Sequence, residues 1–343
     1  MKNMLKLNKR RPIGGIWLCL VASSLLLLLA ACGTDKPSAS PGATSPASTQ
    51  PAATTASESS SESPANNSGG ETTRTFSTVM GDVEIPAHPQ RIIAQGLLPY
   101  FLMFDVKPIG STNWEIAYPH LAGLTDGIED TGFIDGASVE KILSLQPDLI
   151  VTVEPTMYEP FSKIAPTVVI PYDKLGDTHA DTRLFGQLLM QEDKAEQILA
   201  EFDRKIAETK EKLRPVLDSG ETFSLIGAFD KTHYIYGSGI YRGGLTMYKY
   251  IGLQAPPIIQ EQVLDKNKDI LEISLEKIPD YAGDHIFLDV SNGAEFDESS
   301  RLWQSIDAVK NGKVHKLDID IFWPYDPLAI SQQMDELVKM LLP

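Results

Sequence analysis

Short apolar segments alternate with longer segments of helical spacing along the chain from about residue 90. The first four apolar segments, which predict strands, cover residues 91–94, 108–111, 148–153 and 167–170. Because strands that alternate with helices are typical of α/β folds, we expect these four to form one parallel sheet. An earlier segment, residues 76–85, predicts a hairpin that turns at Gly81 and Asp82.

A second series of apolar segments begins after residue 220. Its strands are expected at residues 223–228, 233–236 and 285–290, followed by a helix over 327–342. Between the two series, apolar residues recur every three or four positions, which predicts a helical linker ending at Pro215, with Asp193 as a candidate cap for a second helix within it. We therefore predict an α/β fold with two lobes, 74–180 and 216–343, of mainly parallel sheets joined by a long helical linker over 181–215.

The N-terminal 31 residues have the layout of a secretory signal, with five basic residues before an uncharged apolar stretch over 13–31. The sequence at 29–33 resembles the lipobox of bacterial lipoproteins, in which the thiol of a cysteine is alkylated by diacylglycerol. That resemblance predicts lipidation of Cys32 and a chain anchored to the outer face of the cytoplasmic membrane. An uncleaved membrane-spanning anchor is the alternative, since the apolar stretch is long enough to cross a bilayer.

Residues 32–73 consist mainly of serine, threonine, proline, alanine and glycine. Such a segment has almost no large apolar side chain with which to build a core, so we expect a disordered linker behind the lipid anchor. A flexible chain of about forty residues has a mean end-to-end distance of roughly 35 Å. The linker would hold a folded domain clear of the membrane surface.

Charge and cysteine content exclude several classes of protein. Cys19 and Cys32 are the two cysteines of the chain, and Cys19 lies inside the signal, so we expect neither a disulfide nor a thiolate metal site in the exported domain. The formal net charge is −16, and the exported part is more acidic still because the signal contains basic and no acidic residues. Nucleic acid is therefore not an expected partner, since phosphate binding depends on basic patches.

A short motif occurs once in each predicted lobe. Ser138-Val139-Glu140-Lys141-Ile142 and Ser274-Leu275-Glu276-Lys277-Ile278 each precede an apolar strand by about six residues. Each serine could cap a helix and place its glutamate where the helix dipole favours a carboxylate. The motifs predict two lobes related by pseudo-symmetry, and helix capping alone would also account for them.

The chain resembles the helical-backbone substrate-binding lipoproteins of ATP-driven importers, and among them the ferric siderophore binders of the hydroxamate (ferrichrome) type. The likeness spans about residues 76–342 and is carried by residues 81–92, 138–151, 163–168, 241–244 and 309–314. It implies a monomer that holds a ferric siderophore between its lobes and delivers it to an ABC permease with its cytoplasmic ATPase. It also implies that Glu140 and Glu276 dock into basic pockets of the permease. Separately, the long tether suggests that the protein works on a Gram-positive cell surface.

The loops that follow the predicted strands are rich in aromatic residues, and ligands of open α/β sheets bind at that edge. The aromatic candidates for ligand binding, each of which could instead belong to ordinary packing, are Trp114, Tyr118, Tyr158, Tyr241, Trp323 and Tyr325. Arg242 precedes a glycine pair at the predicted start of a helix, where a cation opposes the dipole. The family resemblance places an arginine here against the chelate oxygens, to which it would donate charge-assisted hydrogen bonds.

No intrinsic cofactor or metal site is expected, because a siderophore already encloses Fe³⁺ in oxygen ligands and the six histidines are scattered. The acidic balance favours a neutral or cationic hydroxamate chelate over a trianionic catecholate. Ferric catecholates, ferric citrate, haem and cobalamin remain alternative ligands of the same architecture. A co-receptor without import is an alternative of another class, and so is an exported hydrolase, although neither a Gly-x-Ser-x-Gly nor a His-Glu-x-x-His motif occurs.

Overall fold

The computed structural model describes residues 72–229, 232–291 and 297–343. The predicted signal, Cys32 and nearly all of the linker lie outside these residues. None of the helices within them has both the length and the apolar character needed to cross a membrane.

The described chain opens with an antiparallel hairpin of β1 (Thr73–Thr78) and β2 (Gly81–Pro86). Thr78 pairs with Gly81, so the turn consists of Val79 and Met80, and the prediction of a turn at Gly81 and Asp82 is wrong. The Thr78 hydroxyl accepts a hydrogen bond from the Met80 N–H at 3.0 Å, which fixes the turn earlier than the glycine suggests. Phe76 and Ile85 anchor the hairpin in the core of the first lobe.

The first lobe contains a five-stranded, fully parallel sheet in the order β5-β4-β3-β6-β7. Its strands are β3 (Ile92–Gln95), β4 (Gly110–Ser111), β5 (Glu129–Asp130), β6 (Leu149–Thr152) and β7 (Thr167–Val169). The central strands β3 and β6 are buried along their whole length, as expected for a sheet covered on both faces. The predicted parallel sheet is confirmed, and β5 was missed because it consists of two exposed acidic residues.

Two consecutive helices connect the lobes, α5 (Thr178–Leu189) and α6 (Glu192–Lys212). The N-cap position of α6 is occupied by Gln191, so the prediction that Asp193 caps this helix is wrong. With 21 residues, α6 is about 31 Å long. It joins the lobes physically because Ala195 packs in the core of the first lobe and Phe202 in the core of the second.

The second lobe contains a mixed five-stranded sheet in the order β10-β9-β8-β11-β12. Its strands are β8 (Phe223–Phe229), β9 (Thr232–Tyr236), β10 (Ile270–Ile273), β11 (His285–Asp289) and β12 (Val314–Lys316). Strand β11 runs parallel to β8 and β12, whereas β9 runs antiparallel to β8 and β10. The edge strand β12 was missed because its residues are partly or fully exposed and carry no apolar run, and β10 was missed although three of its four residues are apolar.

The other α-helices are short, apart from the last one. They are α1 (Leu98–Leu102), α2 (Asn113–Ile116), α3 (Val139–Ser144), α4 (Tyr158–Ser162), α7 (Arg214–Leu217), α8 (Pro257–Ile259), α9 (Ile278–Tyr281), α10 (Arg301–Gln304), α11 (Asp307–Lys310), α12 (Ile319–Phe322) and α13 (Pro327–Leu341). Although α13 ends the second lobe in sequence, its Leu328 packs against Leu98 and Leu121 of the first. The C-terminal helix therefore fixes the two lobes to each other.

The two copies of the Ser-x-Glu-Lys-Ile motif differ in local structure. Ser138 caps α3 by accepting a hydrogen bond from the Lys141 N–H at 3.2 Å, as predicted. Ser274 makes no capping bond, because its motif begins with a 3₁₀ turn over Leu275–Lys277 before α9. Glu140 and Glu276 are nevertheless both exposed.

Candidate ligand-binding cleft

Arg242 forms a buried ion pair in the second lobe. It lies in the loop between β9 and a π-helical segment, Leu245–Ile251, that has Gly244 at its N-cap. The loop places Arg242 in the left-handed region at φ 55°, two residues before the N-cap, next to the start of the helix as predicted. Its Nε–H donates to Asp289 Oδ2 at 2.5 Å, and only 6% of Arg242 and 1% of Asp289 are exposed.

Two aromatic rings enclose the Arg242 guanidinium. Its central carbon lies 3.8 Å from the ring centre of Trp323 and 5.8 Å from that of Tyr236, both within cation–π range. The Tyr236 hydroxyl also lies 3.4 Å from Asp289 Oδ2, and burial raises the pKa of this tyrosine to about 12. Trp323 is 43% exposed, so one face of this assembly is open to solvent.

The loop that carries Arg242 requires glycine at two positions. A Cβ on Gly244 would lie 1.9 Å from the carbonyl oxygen of Gly237, which no side chain can tolerate. Gly243 has φ +80°, and a Cβ there would meet the Phe322 ring at 2.6 Å. Gly243 therefore allows the loop to pack against Phe322, the residue before Trp323. Gly244 allows it to pack against the backbone of Gly237.

The first lobe contributes an aromatic cluster at the carboxyl end of its sheet. The rings of Trp114 and Tyr118 meet edge to face with centroids 5.2 Å apart, and the His120 ring lies 5.1 Å from Tyr118. Trp114 and Tyr118 are half-buried, and the His120 side chain is almost fully buried. The indole N–H of Trp114 is buried and has no hydrogen-bond partner among the described residues.

Glu115, next to Trp114, is a buried carboxylate that ties two loops together. Its Oε1 accepts the Leu98 N–H at 2.9 Å, and its Oε2 lies 3.0 Å from the Gly96 nitrogen. The hydroxyls of Ser111 and Thr112 lie 3.0 and 2.7 Å from Oε2. Burial outweighs these hydrogen bonds and raises the pKa of Glu115 to about 7.

A four-residue segment, 323–326, joins the arginine site of the second lobe to the aromatic cluster of the first. Trp323 covers Arg242, while the ring of Tyr325 lies 6.3 Å from that of Tyr172 in the first lobe. Asp326 caps α13 through Oδ1, and its Oδ2 lies 3.2 Å from His120 Nε2, with both side chains almost fully buried. One short segment thus contacts Arg242 in the second lobe and both Tyr172 and His120 in the first.

A model of the periplasmic binding protein family matches residues 106–320. The chain belongs to this family. The predicted resemblance to binding proteins of importers is thereby confirmed, and so is the α/β architecture of two lobes.

Individual members of the family cover most of this chain. The iron(3+)-hydroxamate-binding protein FhuD of Bacillus subtilis is 36% identical over 82% of this chain and 91% of its own length. A solved structure of a binding protein of a ferrichrome ABC transporter from Bacillus subtilis is 35% identical, with a TM-score of 0.71, over 78% of this chain and 99% of that one. FhuD2 of Staphylococcus aureus with bound ferrioxamine B is 26% identical, with a TM-score of 0.64, over 73% and 98%.

The structure groups most of the candidate ligand-binding residues of this family member. Trp114 and Tyr118 lie together in the first lobe, Arg242 and Trp323 in the second, and Tyr325 at their junction. Tyr241, next to Arg242 in sequence, is 41% exposed. Tyr158 opens α4 and makes no ring contact with the others among the described residues.

Sequence reasoning missed the polar residues that hold these side chains in place, Asp289 and Glu115 above all. Asp289 ends the apolar strand β11 at the carboxyl edge of its sheet, which is a signal that sequence could have used. No equivalent signal marks Glu115, because nothing in its neighbourhood predicts complete burial. Within the described ranges, no cluster of three or more histidine, cysteine, aspartate or glutamate residues is arranged to hold a metal ion.

Proposed function

We propose that this protein captures a ferric siderophore of the hydroxamate type between its lobes and delivers it to an ABC permease for iron import. The observation that carries the proposal is the Arg242 guanidinium, held by Asp289 beneath Trp323 and joined through segment 323–326 to the aromatic cluster of the other lobe. The relatives named above as ferric-hydroxamate and ferrioxamine B binders support the ligand class.

The arrangement suits a chelate that already encloses its iron. A guanidinium donates charge-assisted hydrogen bonds to outer oxygens of the chelate, and the aromatic rings supply apolar area around it. We assign these roles to Arg242 and to the Trp114 indole N–H as donors. The aromatic surface comes from Tyr118, Tyr158, Tyr241, Trp323 and Tyr325. The iron is cargo held by the siderophore, so the protein needs no metal ligands of its own.

The direct test is a binding titration of the chain from residue 33 onward, followed by tryptophan fluorescence. The ligands are ferric hydroxamates, ferric catecholates, ferric citrate, haem and cobalamin. We expect saturable quenching at sub-micromolar concentration with the hydroxamates. Binding of another class alone would assign that ligand instead, and the absence of binding by any iron chelate would refute the siderophore proposal.

Delivery requires anchoring and docking. We propose that Cys32 carries the lipid, that the protein works as a monomer on the outer face of the cytoplasmic membrane of a Gram-positive cell, and that Glu140 and Glu276 meet basic pockets of the permease, which is coupled to its ATPase. Both glutamates are exposed, and they occupy equivalent places in the two lobes. A carboxylate on each lobe could contact both halves of a permease at once.

Charge reversal tests the docking residues. The double variant Glu140→Lys/Glu276→Lys should abolish uptake of the ferric chelate by whole cells while its affinity in solution stays unchanged. The matched control is Glu201→Lys/Glu208→Lys, which makes the same change in charge on the exposed face of α6 and should import normally. Normal uptake by the first variant would refute the docking role. A loss of affinity for the ferric chelate would instead assign Glu140 and Glu276 to the ligand-binding site. If deletion of the whole protein leaves uptake unchanged, a co-receptor role is favoured.

A further inference from the structure

Arg242 is the one lysine or arginine side chain that is buried among the described residues. Asp289 is, within the same residues, the one carboxylate within ion-pair distance of its guanidinium. The Tyr236 hydroxyl lies 3.4 Å from the same carboxylate oxygen, and the other oxygen accepts the Ser291 N–H at 3.0 Å. The carboxylate is therefore fixed in place, and the arginine site as a whole is an ion pair and not a free cation.

We propose that Asp289 is the residue that sets the charge preference of the cleft. It fixes the Arg242 guanidinium as a hydrogen-bond donor while cancelling its net charge, so that neutral and cationic chelates are accepted and anionic ones gain nothing. The inference rests on the proposed function, since it concerns the ligand of the same site.

The surroundings reinforce this preference. Asp326 and Asp181 are buried close to Tyr325, at the junction of the two lobes. His120 Nε2 lies 3.2 Å from Asp326 Oδ2, and Arg242 is the one buried lysine or arginine within the described ranges. Removing the charge of Asp289 would leave the positive charge of Arg242 uncancelled, so that it acts on the ligand.

Coulomb's law gives the size of the effect. One unit charge at about 10 Å from the ligand, in an effective dielectric of about 20, changes the affinity roughly tenfold for each unit of ligand charge. Two ligands that differ by two units should therefore change their affinity ratio about a hundredfold. Because part of this field is screened by ions, the effect should shrink as salt is added.

A series of three chelates with identical iron coordination isolates charge from shape. Ferrioxamine B carries a pendant ammonium group, its N-acetyl derivative is neutral there, and its N-succinyl derivative carries a carboxylate. Affinities of each are measured by calorimetry for the wild-type chain and for Asp289→Asn, which keeps the shape of the side chain. We expect the succinyl-to-ammonium affinity ratio to rise about a hundredfold in the variant at low salt.

Two further variants make the test decisive. Arg242→Gln leaves Asp289 without its partner and should move the same ratio in the opposite direction. Asp307→Asn removes a charge from a side chain of the same lobe that is 88% exposed, and should leave the ratio within twofold. If Asp289→Asn does not fold, Asp289→Ser removes the same charge and carries the same prediction for the ratio.

Equal changes in all three affinities would show that Asp289 has a structural role only, and an unchanged ratio would overturn the inference as well. Either result leaves the proposed function intact, because the wild-type chain still binds. A wild-type chain that binds none of the three chelates would overturn the proposed function and this inference together.

Discussion

The buried carboxyl of Glu115 should make the stability of the first lobe fall as the pH rises. Its pKa in the folded chain is about 7, against an ordinary value of 4.5, because burial disfavours the charged form. A raised pKa stabilises the fold at pH values below the ordinary pKa, and that stability is lost as the pH rises through about 7. At one pKa unit per 1.36 kcal/mol, the loss between pH 5 and pH 8 is about 2–3 kcal/mol.

The local hydrogen bonds provide a place for the extra proton. The Ser111 hydroxyl lies 2.7 Å from the Ala94 carbonyl oxygen and 3.0 Å from Glu115 Oε2, and it has a single hydrogen. When that hydrogen points to Ala94, a protonated Glu115 can donate to Ser111. The proton on Oε2 of neutral Glu115 therefore has a hydrogen-bond acceptor. Ionisation is unfavourable because it places a charge in a buried position away from water.

Glu115→Gln removes the titration but keeps the shape. The amide must face at least one backbone N–H, so we expect a constant loss of about 1–2 kcal/mol at every pH. In addition to this constant loss, the free energy of unfolding of the variant relative to wild type should rise by about 2–3 kcal/mol between pH 5 and pH 8. The assay is urea unfolding of the chain from residue 33 onward across that range.

The matched control is Glu159→Gln on the exposed side of α4. Lys163 holds the pKa of Glu159 below its ordinary value, so its titration lies below the range tested and its difference curve should be flat. Each curve is the difference in free energy of unfolding between variant and wild type, so the contributions of other titrating groups cancel. One such group is His315, whose pKa is lowered to about 4 by burial. A flat curve for Glu115→Gln would refute the reasoning, because it would mean that the carboxylate stays ionised throughout.

Two further predictions concern the arginine site. Trp323→Leu should weaken binding of a ferric hydroxamate about tenfold in calorimetry, since it removes the ring that covers Arg242; unchanged affinity would exclude Trp323 from the site. Gly244→Ala should lower the free energy of unfolding by about 3 kcal/mol, because its Cβ would overlap the Gly237 carbonyl oxygen. Gly136→Ala, whose Cβ meets no atom within 4 Å, is the control, and equal stability of the two variants would contradict the steric argument.

The sequence by itself determined the class of fold and the outline of the lobes. Apolar runs identify strands that are buried on both faces, and the three-and-four spacing identifies helices that bury one face, because both patterns are imposed by the geometry of the backbone. The edge strands β5 and β12 carry no such pattern, since an exposed edge does not require apolar residues on both faces. They could be located only after their neighbours were in place.

Tertiary structure alone decided how the candidate residues combine. Arg242 and Asp289 are 47 positions apart, and His120 and Asp326 are 206 apart, so no local pattern could join them. Sequence reasoning proposed the aromatic side chains as ligand contacts because their type suits an organic ligand. It missed the carboxylates that hold the site, because the role of a carboxylate depends on burial and on its partners, which only the folded chain determines.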